Sequence, residues 1–137
     1  MALPGSYVFP AVFFEDEVDK GMYNVRFPDL PECFTCGKNL ADAIEMASDA
    51  LGLCMYMAER DKRPIPAPSR VADVKLQDGE FCQLVPVSMA PVRKAWRQRP
   101  VRKTLTIPSY LAALADEAKV NYSLLLQNAL RQELHVQ

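Results

Sequence analysis

The segment that most constrains this chain is its C-terminal stretch Arg102–Leu134, RKTLTIPSYLAALADEAKVNYSLLLQNALRQEL. Residues 102–107 alternate as they would along a β-strand. Lys103, Leu105 and Ile107 share one face, and Arg102, Thr104 and Thr106 share the other. Pro108 fixes φ and lacks an N–H, so it predicts the end of that strand. Ser109 is expected to cap a helix whose apolar residues Leu111, Leu114, Ala115 and Ala118 recur at i, i+3, i+4 and i+7. Asn121, or Ser123 two residues on, is expected to cap a second helix with Leu125, Leu126, Ala129, Leu130 and Leu134 as its apolar residues. One short strand and two short helices cannot bury such a face alone. The pattern therefore predicts a homodimer, with Leu105, Ile107, Leu111, Leu114, Leu126 and Leu130 in its core.

Two such strands, paired antiparallel across a two-fold axis, form a ribbon that fits the DNA major groove. Strand, proline and two capped helices in this order resemble the ribbon-helix-helix family of DNA-binding dimers, related to the Arc and MetJ repressors, over about the last quarter of the chain. The resemblance implies that Arg102, Thr104 and Thr106 read base edges. It also implies that the start of the second helix, Asn121, Tyr122 and Ser123 up to Leu124, grips phosphate through free backbone N–H groups. The inter-helix turn departs from the family, running Ala118-Lys119-Val120-Asn121 where glycine is frequent. Asn121 is the residue there that best tolerates unusual backbone angles. The plainer alternative is a helical hairpin used only for oligomerisation.

The net charge of −1 conceals an asymmetry. Residues 1–90 carry 8 Lys/Arg against 14 Asp/Glu, whereas residues 91–137 carry 8 against 3. Opposite signs in two segments predict two partners, a basic protein for the acidic segment and nucleic acid for the basic one. The basic residues concentrate in APVRKAWRQRPV, residues 90–101, which reads as a hinge. Arg93, Lys94, Arg97, Arg99, Arg102 and Lys103 place six positive charges within eleven residues. Directly ahead of a DNA-reading strand, Arg97 and Arg99 are expected to contact phosphate. A solvated linker is the competing reading.

Half the residues are apolar, too many for a disordered chain. MALPGSYVFP lacks the charged start of a signal peptide, and the strongly apolar run Leu51–Ala58 is too short to span a bilayer. A soluble, cytoplasmic protein is expected. Cys33 and Cys36 have C-x-x-C spacing, but no second pair or nearby histidine completes a zinc site, and reduced thiols are the expectation.

In the first ninety residues, Tyr7–Phe14 reads as a strand in which Pro10 implies an edge position or a bulge. An acidic turn, Glu15 to Gly21, joins it to a second strand, Met22–Phe27. Pro28–Gly37 then supplies a two-proline turn and a short extended piece. Asn39 is expected to cap a long helix through about Arg60, with Asp42 in its first turn. That helix carries a main apolar stripe, Leu40, Ala43, Ile44, Ala47, Leu51, Cys54 and Ala58. A second stripe of Met46, Ala50, Leu53 and Met57 is left for a further layer or a partner. A stiff proline-rich exit leads to Val71–Leu76, a short strand or a turn of helix, and to a last strand within Glu80–Met89. The order β-β-β-α-β predicts an α+β domain over residues 1–90, a basic linker at 91–101, and a β-α-α dimerisation domain at 102–137.

The run from Phe27 to Ser69 resembles the HicB antitoxin family. The features that carry the resemblance are a D-L-P-x-C-x-T-x-G turn, an A-x-x-x-A-x-x-A-L helix and a P-I-P-x-P-S exit, with P-E-C at Glu32 where the family has P-G-C. The resemblance implies a partial RNase H-like N-terminal domain that masks a HicA-type ribonuclease toxin, and a C-terminal domain that binds operator DNA and represses the operon. It leaves room for tetramers or larger assemblies through the N-terminal domain. An RNase H-like fold raises a metal-dependent nuclease as a rival. That chemistry needs carboxylates converging on divalent metal, one of them within the first strand, and YVFPAVFF has none. The only histidine, His135, is near the C-terminus. The expectation is therefore no enzyme activity, no cofactor and no metal. An oligomeric regulator without a toxin is a second rival.

Overall fold

The computed structural model describes residues 2–137 and divides them into two compact units, Met1–Arg99 and Pro100–Gln137. In the first, strands β1 (Ser6–Glu15), β2 (Tyr23–Phe27) and β3 (Leu30–Gly37) precede helix α1 (Leu40–Arg60). A 3₁₀ turn at Val71–Asp73, strand β4 (Phe81–Ser88) and helix α2 (Met89–Arg97) follow. The sheet is antiparallel with the order β3-β2-β1-β4, so α1 carries the chain from one edge strand to the other.

α1 covers one face of this sheet. From its main stripe Ala43, Ala47 and Leu51, joined by Met55, pack in the core with Phe9, Ala11, Phe13, Val25 and Val85, and Ala58 is buried as well. Asn39 caps it as expected, Oδ1 accepting from the Asp42 N–H at 2.9 Å. Small residues set how closely the layers approach. A Cβ on Gly37 would lie 2.3 Å from the Ala43 nitrogen, so only glycine lets β3 run so close to the first turn of α1. On Gly52 a Cβ would meet Val92 and Val87 methyls at 3.0 and 3.1 Å.

Pro10 corrects part of the edge expectation. β1 is an interior strand, yet its ladder with β2 begins only at Val12, while Pro10 itself pairs with Leu84 of β4. The proline sits where β1 has a neighbour on one side alone, the local equivalent of an edge.

The larger correction concerns residues 90–101, where a hinge is expected. Met89–Arg97 is helical and belongs to the first unit. Pro91 falls in the first turn, where a missing N–H costs nothing. Met89, Val92 and Trp96 fall at i, i+3 and i+7; Met89 is fully buried and Val92 packs on the core. Trp96 stacks on Tyr56 of α1 with ring centroids 5.8 Å apart. Arg93 donates to both carboxylate oxygens of Glu59, at 3.0 and 2.7 Å, and to the Pro4 carbonyl at 2.6 Å. The Tyr7 hydroxyl donates to the same carboxylate at 2.7 Å.

In the Pro100–Gln137 unit, α3 (Ser109–Glu117) and α4 (Tyr122–Leu134) lie where the periodicity predicts. Ser109 is the first helical residue and not the cap. Pro108 holds the cap position, its carbonyl accepting from the Leu111 and Ala112 N–H groups at 3.1 Å each. Residues 102–107 form no strand in the single chain. A strand is defined by hydrogen bonds to a neighbour, and this unit contains no other strand to supply them. No described helix of either unit is long and apolar enough to cross a membrane.

The Glu59 clasp yields a pH prediction. Arg93, and then the Tyr7 hydroxyl, hold the Glu59 carboxyl below its ordinary 4.5. The Tyr7 phenol is pushed up to about 12 by burial and by its bond to Glu59. A carboxyl depressed in the folded state stabilises fully above its unfolded pKa, and that stability is lost as pH falls through the folded value. Glu59→Gln should therefore lower unfolding free energy near pH 7 by about 1–3 kcal/mol, and the difference from the parent should shrink on acidification below pH 4.5. Urea titrations across pH measure both.

Candidate nucleic-acid interface

The Pro100–Gln137 unit buries no side chain completely. α3 and α4 instead frame an open, almost wholly apolar groove. Leu105, Ile107, Leu111, Leu114 and Leu126, five of the six residues expected in a dimer core, line it together with Leu125, Ala129, Val120 and Tyr122. Leu130, the sixth, lies outside the lining and is 48% exposed. One turn of helix separates it from Leu126, enough to carry it past the rim.

The turn between the helices takes its unusual backbone angle at Lys119 (φ 56°), not at Asn121 (φ −84°). The Val120 N–H reaches back to the Ala115 carbonyl at 3.0 Å, the six-residue closure that ends a helix through one left-handed residue. Asn121 is free to cap α4, Oδ1 accepting from the Leu124 N–H at 3.0 Å. Its carbonyl takes the Leu125 N–H at 3.0 Å. Among the described residues, the Tyr122 and Ser123 N–H groups are then the open donors of the first turn, the place where a helix receives an anion. Ser123 Oγ accepts from Gln127 and keeps its own proton to donate. Tyr122 is committed elsewhere. Its hydroxyl donates to Asp116 and to the Ala112 carbonyl, tying α4 to α3, and the bond to Asp116 raises its pKa.

Arg102, Thr104 and Thr106 are all exposed on the segment that precedes α3. The cations before them differ in availability. Arg93 is spent on Glu59, whereas Lys94 and Arg97 are exposed and three residues apart on α2, sharing a face. Arg99 lies 4.5 Å over the Trp96 ring, an arrangement that leaves the edge of its guanidinium open to a further acceptor. The clasp escapes sequence reading because its three members are far apart in the chain, and nothing local marks them.

The acidic turn has a structural role. Asp16 accepts from the Val18 and Asp19 N–H groups and from the Asn24 amide at 2.9–3.0 Å, bonds that hold its carboxyl below the usual range. Glu80 is held by Arg26 at 2.7 Å. Among the described residues, no group of three or more His, Cys, Asp or Glu is placed to hold a metal. Cys33 and Cys36, three residues apart on β3, point to opposite faces. Cys33 is buried beneath α1 and Cys36 exposed, so the C-x-x-C spacing does not make a thiol pair.

The chain thus combines an antiparallel sheet unit with a helical unit that carries an open apolar groove. A family model described as HicB_like antitoxin of bacterial toxin-antitoxin system matches residues 9–128, through both units, and the chain belongs to this family. Two antitoxins of Photorhabdus laumondii are similar in sequence. Antitoxin HicB 2 is 37% identical over 82 residues, 60% of this chain and 52% of that protein. Antitoxin HicB 1 is 42% identical over 55 residues, 39% of this chain and 36% of that protein. The chain thus spans about half or less of these relatives. A chain of a toxin–antitoxin complex from Streptococcus pneumoniae is similar in structure, with a TM-score of 0.62 at 27% identity over 93% of this chain and 99% of that one.

The cap separates fold from charge. Asn121→Ala should destabilise α4 by about 1 kcal/mol, whereas Asn121→Asp keeps an acceptor and should hold stability within a few tenths. Amide exchange of Leu124 and Leu125 distinguishes the two.

Proposed function

We propose that this chain is the antitoxin of a HicAB-type pair. Its Met1–Arg99 unit binds and masks a small HicA-type mRNA-cleaving ribonuclease. Its Pro100–Gln137 unit pairs with that of a second copy, binds the operator, and represses the operon encoding both proteins. The observation that carries the reading is the family match from residue 9 to residue 128, which includes nearly all of the sheet, α1, α2, α3 and the first half of α4. The solved toxin–antitoxin complex similar over 93% of the chain supports a toxin partner.

The finer parts rest on physical argument. Masking an active site requires contact and no chemistry, so the antitoxin is not an enzyme in this scheme. The partial RNase H-like domain serves as a docking body, and its acidic balance complements the basic face of an RNA-cleaving partner. Covering the apolar groove of Pro100–Gln137 with a second copy brings two 102–107 segments together as an antiparallel ribbon. Arg102, Thr104 and Thr106 then face outward, with Arg102 the candidate for guanine. The open N–H groups of Tyr122 and Ser123 receive a phosphate, as do Arg97 and Arg99. Pairing through the N-terminal units as well would give tetramers or larger assemblies.

Co-expression with the small adjacent open reading frame tests the class directly: toxicity of that frame alone should be relieved by this chain. Within the chain, Thr104→Ala with Thr106→Ala should weaken binding to DNA from upstream of the operon and leave relief of toxicity intact. The reverse outcome would contradict the division of labour. Arg97→Ala should weaken binding to all duplexes alike and reduce the slope of log K against log salt by about 1. A sequence-selective loss would exclude phosphate contact.

A further inference from the structure

α1 keeps a face that the sheet does not use. Met46 and Leu53 remain 38% and 36% exposed, two turns apart, on the stripe that also carries Ala50 and Met57. Leu53 opens into a groove of about 630 Å³, bounded by α1 on one side, by Val92 and Trp96 of α2 on the other, and floored by Val87. Its walls are mainly apolar, and its size admits a turn of helix or a cluster of side chains. Gly52 lets Val92 and Val87 come in beneath it.

The lining of this groove carries charge of one sign, from Asp49. Glu45 and Asp49 stand at i and i+4 beside Met46 and Leu53, both exposed, and Asp49 lines the groove itself. Among the described residues neither forms an ion pair. The only basic side chain of α1, Arg60, is at its far end and turned to Asp61 at 3.1 Å. Like charges one turn apart repel mildly, and nothing on the helix relieves them. Lys94, Arg97 and Arg99 are not part of the lining, and Arg99 lies over the Trp96 ring at its edge. The surface is complementary to a basic protein that offers an apolar side chain flanked by lysine or arginine.

We propose that this α1–α2 groove is where the basic, RNA-binding partner docks, with an apolar side chain seated on Leu53 and Val92 and its cations against Glu45 and Asp49. The inference rests on the antitoxin reading and adds to it the face of the antitoxin that is covered. It also explains why Met46 and Leu53 stay exposed on a helix that already buries one stripe in the core.

The test uses the full chain and the protein of the adjacent open reading frame, carrying an inactivating substitution so that it can be purified. Leu53→Lys and Asp49→Lys place positive charge in and beside the groove. Each is expected to weaken the complex roughly 30-fold or more by calorimetry, while melting temperature and DNA binding stay at parental values. Phe34→Lys, on the sheet face away from α1, is the control and should leave the affinity unchanged. Parental affinity in both groove variants would overturn the proposal and leave the antitoxin reading standing, as would a loss confined to Phe34→Lys. A changed oligomeric state with unchanged partner affinity would assign the groove to a second copy of this chain. No complex with the parental chain would overturn both readings.

Discussion

The Pro100–Gln137 unit has two helices, each capped or closed by its own residues, and an apolar groove with nothing over it. Local hydrogen bonding can form α3 and α4, but burial is what makes short helices persist in water. The constraint falls equally on residues 102–107, which have the alternation of a strand and no strand beside them. A single surface supplied from outside can satisfy both deficits: a second copy provides the apolar cover and the missing neighbour in one step. On this account DNA reading follows from dimerisation, because only a paired ribbon presents Arg102, Thr104 and Thr106 together.

The Met1–Arg99 unit is built on the opposite principle. Its sheet, α1 and α2 pack into a core of their own. The Glu59–Arg93–Tyr7 clasp and the Tyr56–Trp96 stack fasten α2 to α1. The clasp also redistributes the positive charge of the chain. Arg93 is withdrawn into the fold, so the exposed cations before residues 102–107 begin at Lys94, and of these Lys94 and Arg97 are carried by a helix. Under the proposed function, two jobs fall on two compact units, the second of them completed by a copy.

Much of this was legible in the sequence because it is local. Asn39 and Asn121 cap the helices they precede, and the alternation and turn residues place β1 to β4. What was not legible depends on partners distant in the chain. α2 was hidden by its three basic residues and by Pro91, which together resemble a linker. The contrary signal was Met89, Val92 and Trp96 at helical spacing with proline in the first turn. Lys119, rather than Asn121, takes the left-handed angle because the six-residue closure of α3 fixes which position must turn. Tyr122 gives up its hydroxyl to Asp116, a contact that exists only once both helices are packed. Pro10 is anomalous in the sequence, and its resolution, an interior strand with a locally absent neighbour, depends on where β2 ends.

The central claim is that residues 102–107 become a strand only when the apolar groove is covered by a second copy. Amide hydrogen exchange of the full-length chain, followed residue by residue over a range of protein concentrations, tests it most directly. Alternate amides between Lys103 and Ile107 should become protected as the chain self-associates, in step with amides of α3 and α4. Exchange of all these amides at the rate of an unstructured peptide, at concentrations where the chain is fully associated, would contradict it.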